Sequence, residues 1–555
     1  MRTTRERRCA APEGNVVIES NPDLSRLLDG RSLTLFRNAR VVTADGTTDH
    51  LLLDGERIAA LGAEAAARTA ALPPGSARTL DLDGLVVAPG FIDAHTHLAH
   101  MGFGLARPAL AGLGSAAAVL ERVRTALAAH DPERPLIAED WDNGRWARGD
   151  HLRRTDLDRL TPTTPLILRR VCGHQAVANS AALTRLLADP RGRDYAARGF
   201  VDADTGVLLE DAAMRIAQLF PPTAAEIANA LALALAHAAR LGVTSAHDIV
   251  TAGAFRAQQE ARAEGRLTLR VVAHVALDTL DALAELGLAS GLGDDRLRLG
   301  GVKFFVDGSL GARTAALDAP YADRPDTTGL LLIAPEELAR LVRRTHELGL
   351  TAVVHAIGDR AIAATLAAFE GLGPAAVRAF RHRIEHCELT PDDLVVRLAR
   401  VGAIASMQPN FVALWGDAGG MYETALGPMR LRLMNRFATL AAHGVPLAFG
   451  SDSMPMGPLA GLAGAVLHPV AGERLAPGAA LAAYTAGGAF AAATEHEVGT
   501  LAPGMLADLV VLTGDPRAEG ALAGCRVAAT IVGGRTVFAD PAALAPAGGS
   551  TEARA

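Results

Sequence analysis

The sequence predicts an α/β fold: a TIM (β/α)8 barrel with a small β-sandwich built from both termini and an inserted α/β subdomain. Three observations predict it. Short apolar strand patterns alternate with helical ones through the middle of the 555 residues, as parallel βα units do. Both flanks of that middle show closely spaced short strands with turn signals, hairpins too small to be stable unless they pair. The stretch from Gly104 to Thr223 is too long for one βα connection and carries strand and helix patterns of its own.

Taken in order, residues 1–32 read as a peripheral or poorly ordered extension. Arg2, Arg5, Arg7 and Arg8 are followed by no apolar run, so no signal peptide is expected. Residues 33–88 form the first half of the sandwich, with strands at Leu33–Phe36 and Leu51–Leu53 and a turn at Asp54-Gly55. Residues 497–540 form the second half, with Ala507–Leu512, Val527–Val532, a Gly533-Gly534 turn and Thr536–Phe538. Between them, residues 89–496 form the barrel. Its eight strands end near His97, His247-Asp248, His274, Asp307, His355, His386, Gln408 and Asp452, and a barrel of this type keeps its active site at those ends. The insertion at 104–223, with patterns at Thr164–Val171 and Asn179–Leu187, is expected to lie over the barrel mouth. No internal repeat is evident.

Composition excludes several classes. Hydrophobic content of 50% with 21% charged residues describes a globular protein, neither disordered nor fibrous. A net charge of −7 and a pI near 6.2 give no reason to expect nucleic acid or an anionic membrane as partner. A homo-oligomer is compatible with these figures. Cys9, Cys172, Cys387 and Cys525 are far apart, which suits free thiols in a reducing cytoplasm. The apolar helix at Ala224–Leu241 is broken by Glu226, His237 and Arg240, and is too short and polar to span a bilayer.

Two features carry chemistry. His95 and His97 close a buried-type strand (Val86-Val87, Pro89-Gly90, Phe91-Ile92), and their spacing points both imidazoles to one face. Two neutral imidazoles aimed at one point suit a borderline metal such as zinc. Lys303 is the single lysine in the chain, against 53 arginines. Arginine serves wherever a cation suffices, but it cannot deprotonate, whereas a buried lysine readily becomes a free amine. Lys303 lies in an apolar strand pattern, Gly301–Gly308, so an amine is needed there. Three more strand ends supply His355, His386 and Asp452. A lone strand-end histidine is usually a hydrogen-bonded core residue, but six such groups on one rim call for a metal. His237, His346, His443 and His468 sit in helices or loops and read as structural.

The motifs PGFIDAHTHL, GHQAVANSAAL, TGVLLEDA, GVTSAHD, VKFFVDGSLGARTAAL, HAIGDRA, RIEHCEL, SMQPNF, FGSDSMP and VGTLAPGMLADLVVL resemble the amidohydrolase superfamily. Within it they are similar to the amidohydrolase-3 (YtcJ-like) branch, which includes N-substituted formamide deformylases. The resemblance covers about residues 33–540. It implies a TIM barrel with a small β-sandwich, and His95, His97 and Asp452 as ligands of the more buried metal. It also implies His355 and His386 on a second metal, and Lys303 as a carboxylated lysine bridging both. Two divalent ions are therefore expected, zinc first, with Mn, Fe or Co as alternatives. The implied reaction is hydrolysis of a C–N bond by metal-activated hydroxide, in an amide or N-substituted formamide and not a peptide. Asp452 would act as general base and then acid, with His355 and His386 at the carbonyl.

Substrate-contacting residues are less legible. Trp141, His174, Asn179 and Glu210 in the insert could overhang the pocket, although core packing and helix capping explain Trp141 and Asn179 about equally well. Gln408, Phe411 and Trp415 after the seventh strand are candidate walls. Ser309 and Arg313 follow Lys303 and could orient it. A mononuclear deaminase or cyclic-amide hydrolase on the same scaffold is the alternative enzyme. An inactive barrel scaffold is the third alternative, opposed by retention of all six rim residues.

Overall fold

A computed structural model describes residues 28–30, 32–144, 146–147, 149–171, 175–518 and 520–544. Most of the extension at 1–32 lies outside the described residues.

The barrel predicted from the alternation is present. Its strands are β1 (Phe91–Thr96), β2 (Val243–Val250), β3 (Arg270–Ala276), β4 (Leu297–Phe305), β5 (Thr351–Ala356), β6 (Arg383–His386), β7 (Ile404–Met407) and β8 (Leu447–Phe449), all parallel and in sequential order. Their near-continuous apolar runs are those of strands buried on both faces. Val302 and Phe304, Val354 and Ala356, and Ile384 face outward into the main core beneath the helices. Lys303, Glu385 and the histidines alternate with them and face inward.

No ladder joins β8 to β1; side chains and backbone beyond β8 close the seam. Asp93 accepts hydrogen bonds from the Ser451 backbone N–H (2.9 Å) and hydroxyl (2.5 Å), and the Asp452 N–H donates to the His95 carbonyl (2.8 Å). Gly450 permits this approach, since a Cβ there would lie 2.4 Å from the His95 nitrogen. Closing the barrel therefore brings Asp452 beside His95.

The terminal β patterns interleave. One sheet runs Arg57–Leu61, Leu51–Asp54, Leu33–Arg37, Arg78–Asp81; the other runs Arg535–Ala539, Val527–Val532, Leu509–Leu512, Val86–Pro89, Arg40–Thr43, Gly46–Thr48. Leu509–Leu512 pairs antiparallel with Val86–Pro89, so the second sheet joins both ends of the chain. Phe36, Leu51, Ile58, Val87, Val511 and Ile531 share one core between the sheets.

Arg270, at the start of β3, ties this unit to the barrel through two hydrogen bonds to Asp508 (2.7 and 2.9 Å), both side chains being buried. Arg270 also donates to Asp295 at 2.5 Å, so loss of Asp508 leaves the buried guanidinium partly paired and costs about 1–3 kcal/mol. Asp508→Ala is expected to lower the melting temperature in a thermal scan by several degrees; an unchanged transition would contradict this account.

The insert has its own five-stranded sheet, ordered Val201–Asp202, Val207–Leu209, Gln175–Ala178, Leu166–Arg170, Leu136–Trp141. Separate apolar clusters fill its two faces. Its edge strand is strapped to the barrel rim by Glu139, which accepts from Arg107 and Arg169 at 2.8 Å each. Arg107 ends the helix Leu98–Ala106, which starts directly after His97. The return helix, Ala224–Arg240, begins with a capping box between Thr223 and Glu226 and packs on Leu98–Ala106 through Gly102. Among the described residues, no helix is long and apolar enough to cross a membrane.

Candidate metal centre

Strand ends deliver the ligands, and strained backbone aims several of them. His386, Cys387, Asp452 and Ser453 all have positive φ (70°, 51°, 54° and 57°), a conformation costly for residues with a Cβ. His95, His386 and Asp452 each offer a ligand atom, and these lie within 4.8 Å of one another. Lys303 places its Nζ 3.3 Å from His95 Nε2. Asp452 Oδ1 lies 3.0 Å from His97 Nε2 and 3.5 Å from His95 Nε2. His355 stands edge-on to His386, their ring centres 4.4 Å apart. The side chains of His97 and Asp452 are 29% and 17% exposed against 1% for His95, so the first two face the mouth.

The imidazoles of His95, His386 and His355 are each anchored at one nitrogen. His95 Nδ1 meets Glu385, His386 Nδ1 meets Gln408 Oε1 at 2.8 Å, and His355 Nε2 meets the Gly308 carbonyl at 3.1 Å. Such outer contacts fix tautomer and ring orientation. Asp307 lies 3.5 Å from His355 Nε2 and accepts from the Ala316, Ile357 and Gly358 N–H groups, holding the loops after β4 and β5 in place.

Burial dominates the electrostatics. It pushes His95 down to about 4 and His355 to about 3, with Lys303 adding to both, and it holds His386 well below its usual value. Burial likewise lowers Lys303 to about 8. Burial would raise Asp452, but His95, the hydrogen bond from His97, and His386 together hold it well below the usual carboxylate range. The result is neutral imidazoles, a readily deprotonated amine and an ionised carboxylate. The neutral imidazoles and the ionised carboxylate fit a divalent cation, and Lys303 can join them once it gives up its proton.

The other predicted residues separate into two groups. Gln408, Phe411 and Trp415 pack in sequence beside His386. Gln408 anchors His386, the Phe411 ring lies parallel to His386 at 6.3 Å, and Trp415 packs on Phe411 at 4.7 Å. Trp141, Asn179 and Arg313 make contacts within the scaffold. Trp141 is buried in the insert core with its indole N–H donating to the Leu168 carbonyl. Asn179 caps the helix Ser180–Ala188, and its amide is saturated by Leu166, Ala182, Thr161 and Thr164. Arg313 spends its guanidinium on Asp323 and on the Leu310 and Gly311 carbonyls. Ser309 caps the same turn, accepting from the Ala312 N–H. Glu210 opens the insert helix Glu210–Gln218 with a φ of 47°. His174 lies outside the described residues.

Sequence reasoning missed Glu385, Arg383, Asp93 and Phe305. Alternation held the signal for the first two: charges two apart in a fully buried four-residue strand must meet partners inside the barrel. Phe305 follows Lys303 by two residues, so it shares the inward face at the mouth. Its ring is 5.0 Å from Lys303 Nζ and 5.3 Å from His355, and it stays 46% exposed.

Comparison with known proteins agrees with this geometry. The model of the amidohydrolase family matches residues 78–538. The chain is 32% identical over 500 residues to the amidohydrolase YtcJ of Bacillus subtilis, covering 83% of this chain and 90% of that one. It is 29% identical over 526 residues to the N-substituted formamide deformylase of Arthrobacter pascens, covering 86% and 93%. A crystal structure of a metal-dependent hydrolase from Pyrococcus furiosus superimposes with a TM-score of 0.77 at 32% identity, over 88% of this chain and all of that one. With its barrel, its rim of ligands and a family match across most of its length, this chain belongs to the amidohydrolase family and is a metal-dependent hydrolase.

Proposed function

We propose that this hydrolase cleaves the C–N bond of an amide or N-substituted formamide. The convergence of His95, His386 and Asp452 within 4.8 Å, with Lys303 3.3 Å from His95, carries this reading. Divalent ions, zinc first with Mn, Fe or Co as alternatives, would supply Lewis acidity there, acidifying water towards neutrality and polarising a carbonyl. The choice of bond is supported by the likeness to a formamide deformylase over most of both chains.

The residues divide the work. Asp452, held ionised and facing the mouth, takes the proton of the attacking water and returns it to the departing nitrogen. His95 and His97 would hold one ion beside it, and His355 and His386 would hold a second. Lys303, as a neutral amine, would add to the carbon of CO₂ and lose a proton, and the resulting anionic carbamate would serve as a further metal ligand. Phe305, Phe411 and Trp415 form an apolar wall that limits water at the scissile bond. We place the protein in the cytoplasm, a reducing compartment; Cys387 and Cys525, the free cysteines among the described residues, suit it.

Metal analysis of purified protein, together with a screen of N-formyl, N-acyl and cyclic amides, tests this. About two ions per chain and turnover of formamides or simple amides are expected. A protein with no bound divalent ion, or one that turns over only cyclic amides or amino-heterocycles, would sink the reading. One observation favours a single ion: the tight group joins His95, His386 and Asp452, ligands that family resemblance divides between two metals. A content near one ion per chain would establish that version.

A further inference from the structure

Below the ligand rim lies a buried charged pair that the steps above do not use. Arg383 and Glu385 sit two residues apart on β6 and point inward, with side-chain exposures of 1% and 0%. Arg383 reaches three other points besides binding both oxygens of Glu385. It contacts His247 Nδ1 on β2 at 3.0 Å, the Ala94 carbonyl on β1 at 2.5 Å and the Ser406 hydroxyl on β7 at 2.8 Å, while its Nε holds Glu385 Oε1. One guanidinium therefore spans four strands, and its position is overdetermined. Its partner Glu385 turns the remaining face of Oε2 to His95 Nδ1.

A buried ion pair rarely contributes more stability than apolar residues of equal volume, because desolvation offsets its attraction. This pair thus calls for a role besides stability, and its contact with the candidate ligands is the one from Glu385 to His95. An imidazole has two nitrogens, and the hydrogen bond at one decides what the other can do. A carboxylate at Nδ1 demands the proton there. That leaves Nε2 with its lone pair directed at Lys303 Nζ (3.3 Å) and Asp452 Oδ1 (3.5 Å).

We propose that Glu385, fixed by Arg383, is a positioning residue that locks His95 in the Nδ1–H tautomer and turns Nε2 to the metal ion. This rests on the metal-centre reading above. The carboxylate also makes the imidazole a stronger donor, so the site should hold its ion more tightly than an amide partner would allow.

Zinc affinity, measured by chelator competition on the full chain, tests the inference with Glu385→Gln and Glu385→Asp. Aspartate keeps a charge for Arg383 but is one methylene short of His95, whereas glutamine keeps the length and loses the charge. Both should bind zinc about 10–100-fold more weakly than the unsubstituted protein. A pair with a purely structural role would leave Glu385→Asp at full affinity, and that result would overturn the proposal. If the unsubstituted protein binds no divalent ion, the metal-centre reading fails first and takes this inference with it. Weak binding confined to the variants separates the two cases. Should neither variant fold, nitrogen NMR of histidine-labelled unsubstituted protein decides, with the His95 signals assigned from a His95→Asn spectrum. A protonated Nδ1 and an unprotonated Nε2 that shifts on zinc addition are expected; the opposite tautomer would refute the lock.

Discussion

Lys303→Arg is expected to remove activity and metal together. Arginine keeps a cation but cannot deprotonate, so it cannot form the proposed carbamate, and a permanent charge is left beside His95 in a buried position. Loss of an outer partner of a metal ligand already costs 10–100-fold, so loss of a bridging ligand should lower kcat/KM by more than about 100-fold. Metal content should fall in parallel. Circular dichroism would check that the barrel survives, because an unpaired buried charge also costs several kcal/mol of stability. Lys303→Ala offers the complementary measurement: a short carboxylic acid added in solution can occupy the bridging position and recover part of the activity. A Lys303→Arg protein with full metal content and near-normal turnover would remove Lys303 from the centre.

The second large effect belongs to Asp452→Asn. The amide keeps the shape, and with it the hydrogen bond to His97, but neither takes up a proton nor carries the charge that the histidines around it stabilise. Loss of a general base and acid costs about 10²–10⁴ in rate. The expected result is a fall in kcat of that size, with KM changed far less, in steady-state kinetics on whichever amide proves active. Metal content should fall less than in Lys303→Arg, since His95 and His386 remain. If kcat holds and KM alone rises, Asp452 binds substrate and another group moves the proton.

Both variants test residues that were visible in the sequence, and the reason is local. His95 and His97 stand two apart on one strand, and that spacing alone fixes their common face. Lys303 is conspicuous because it is the one lysine among 555 residues, and a strand pattern surrounds it. Strand periodicity likewise gave the eight barrel strands, since burial on both faces writes near-continuous apolar runs into each of them. The interleaving of the terminal sheets follows from hairpins too short to stand alone.

Partner choice across the closed barrel was not legible. Glu385 meets His95 across 290 positions of chain and Arg270 meets Asp508 across 238, distances over which no periodicity in the sequence carries information. Trp141 and Asn179 illustrate the same limit from the other side. An indole or a side-chain amide has identical hydrogen-bonding capacity in a pocket and in a core, so only the positions of Leu168, Leu166 and Thr164 assign both to the insert's scaffold. The sequence by itself brought forward His95, His97 and Lys303 as candidate ligands, because strand periodicity and residue type are local properties. Which nitrogen of His95 is left free was decided only by the tertiary structure, because that depends on Glu385, brought from a distant strand.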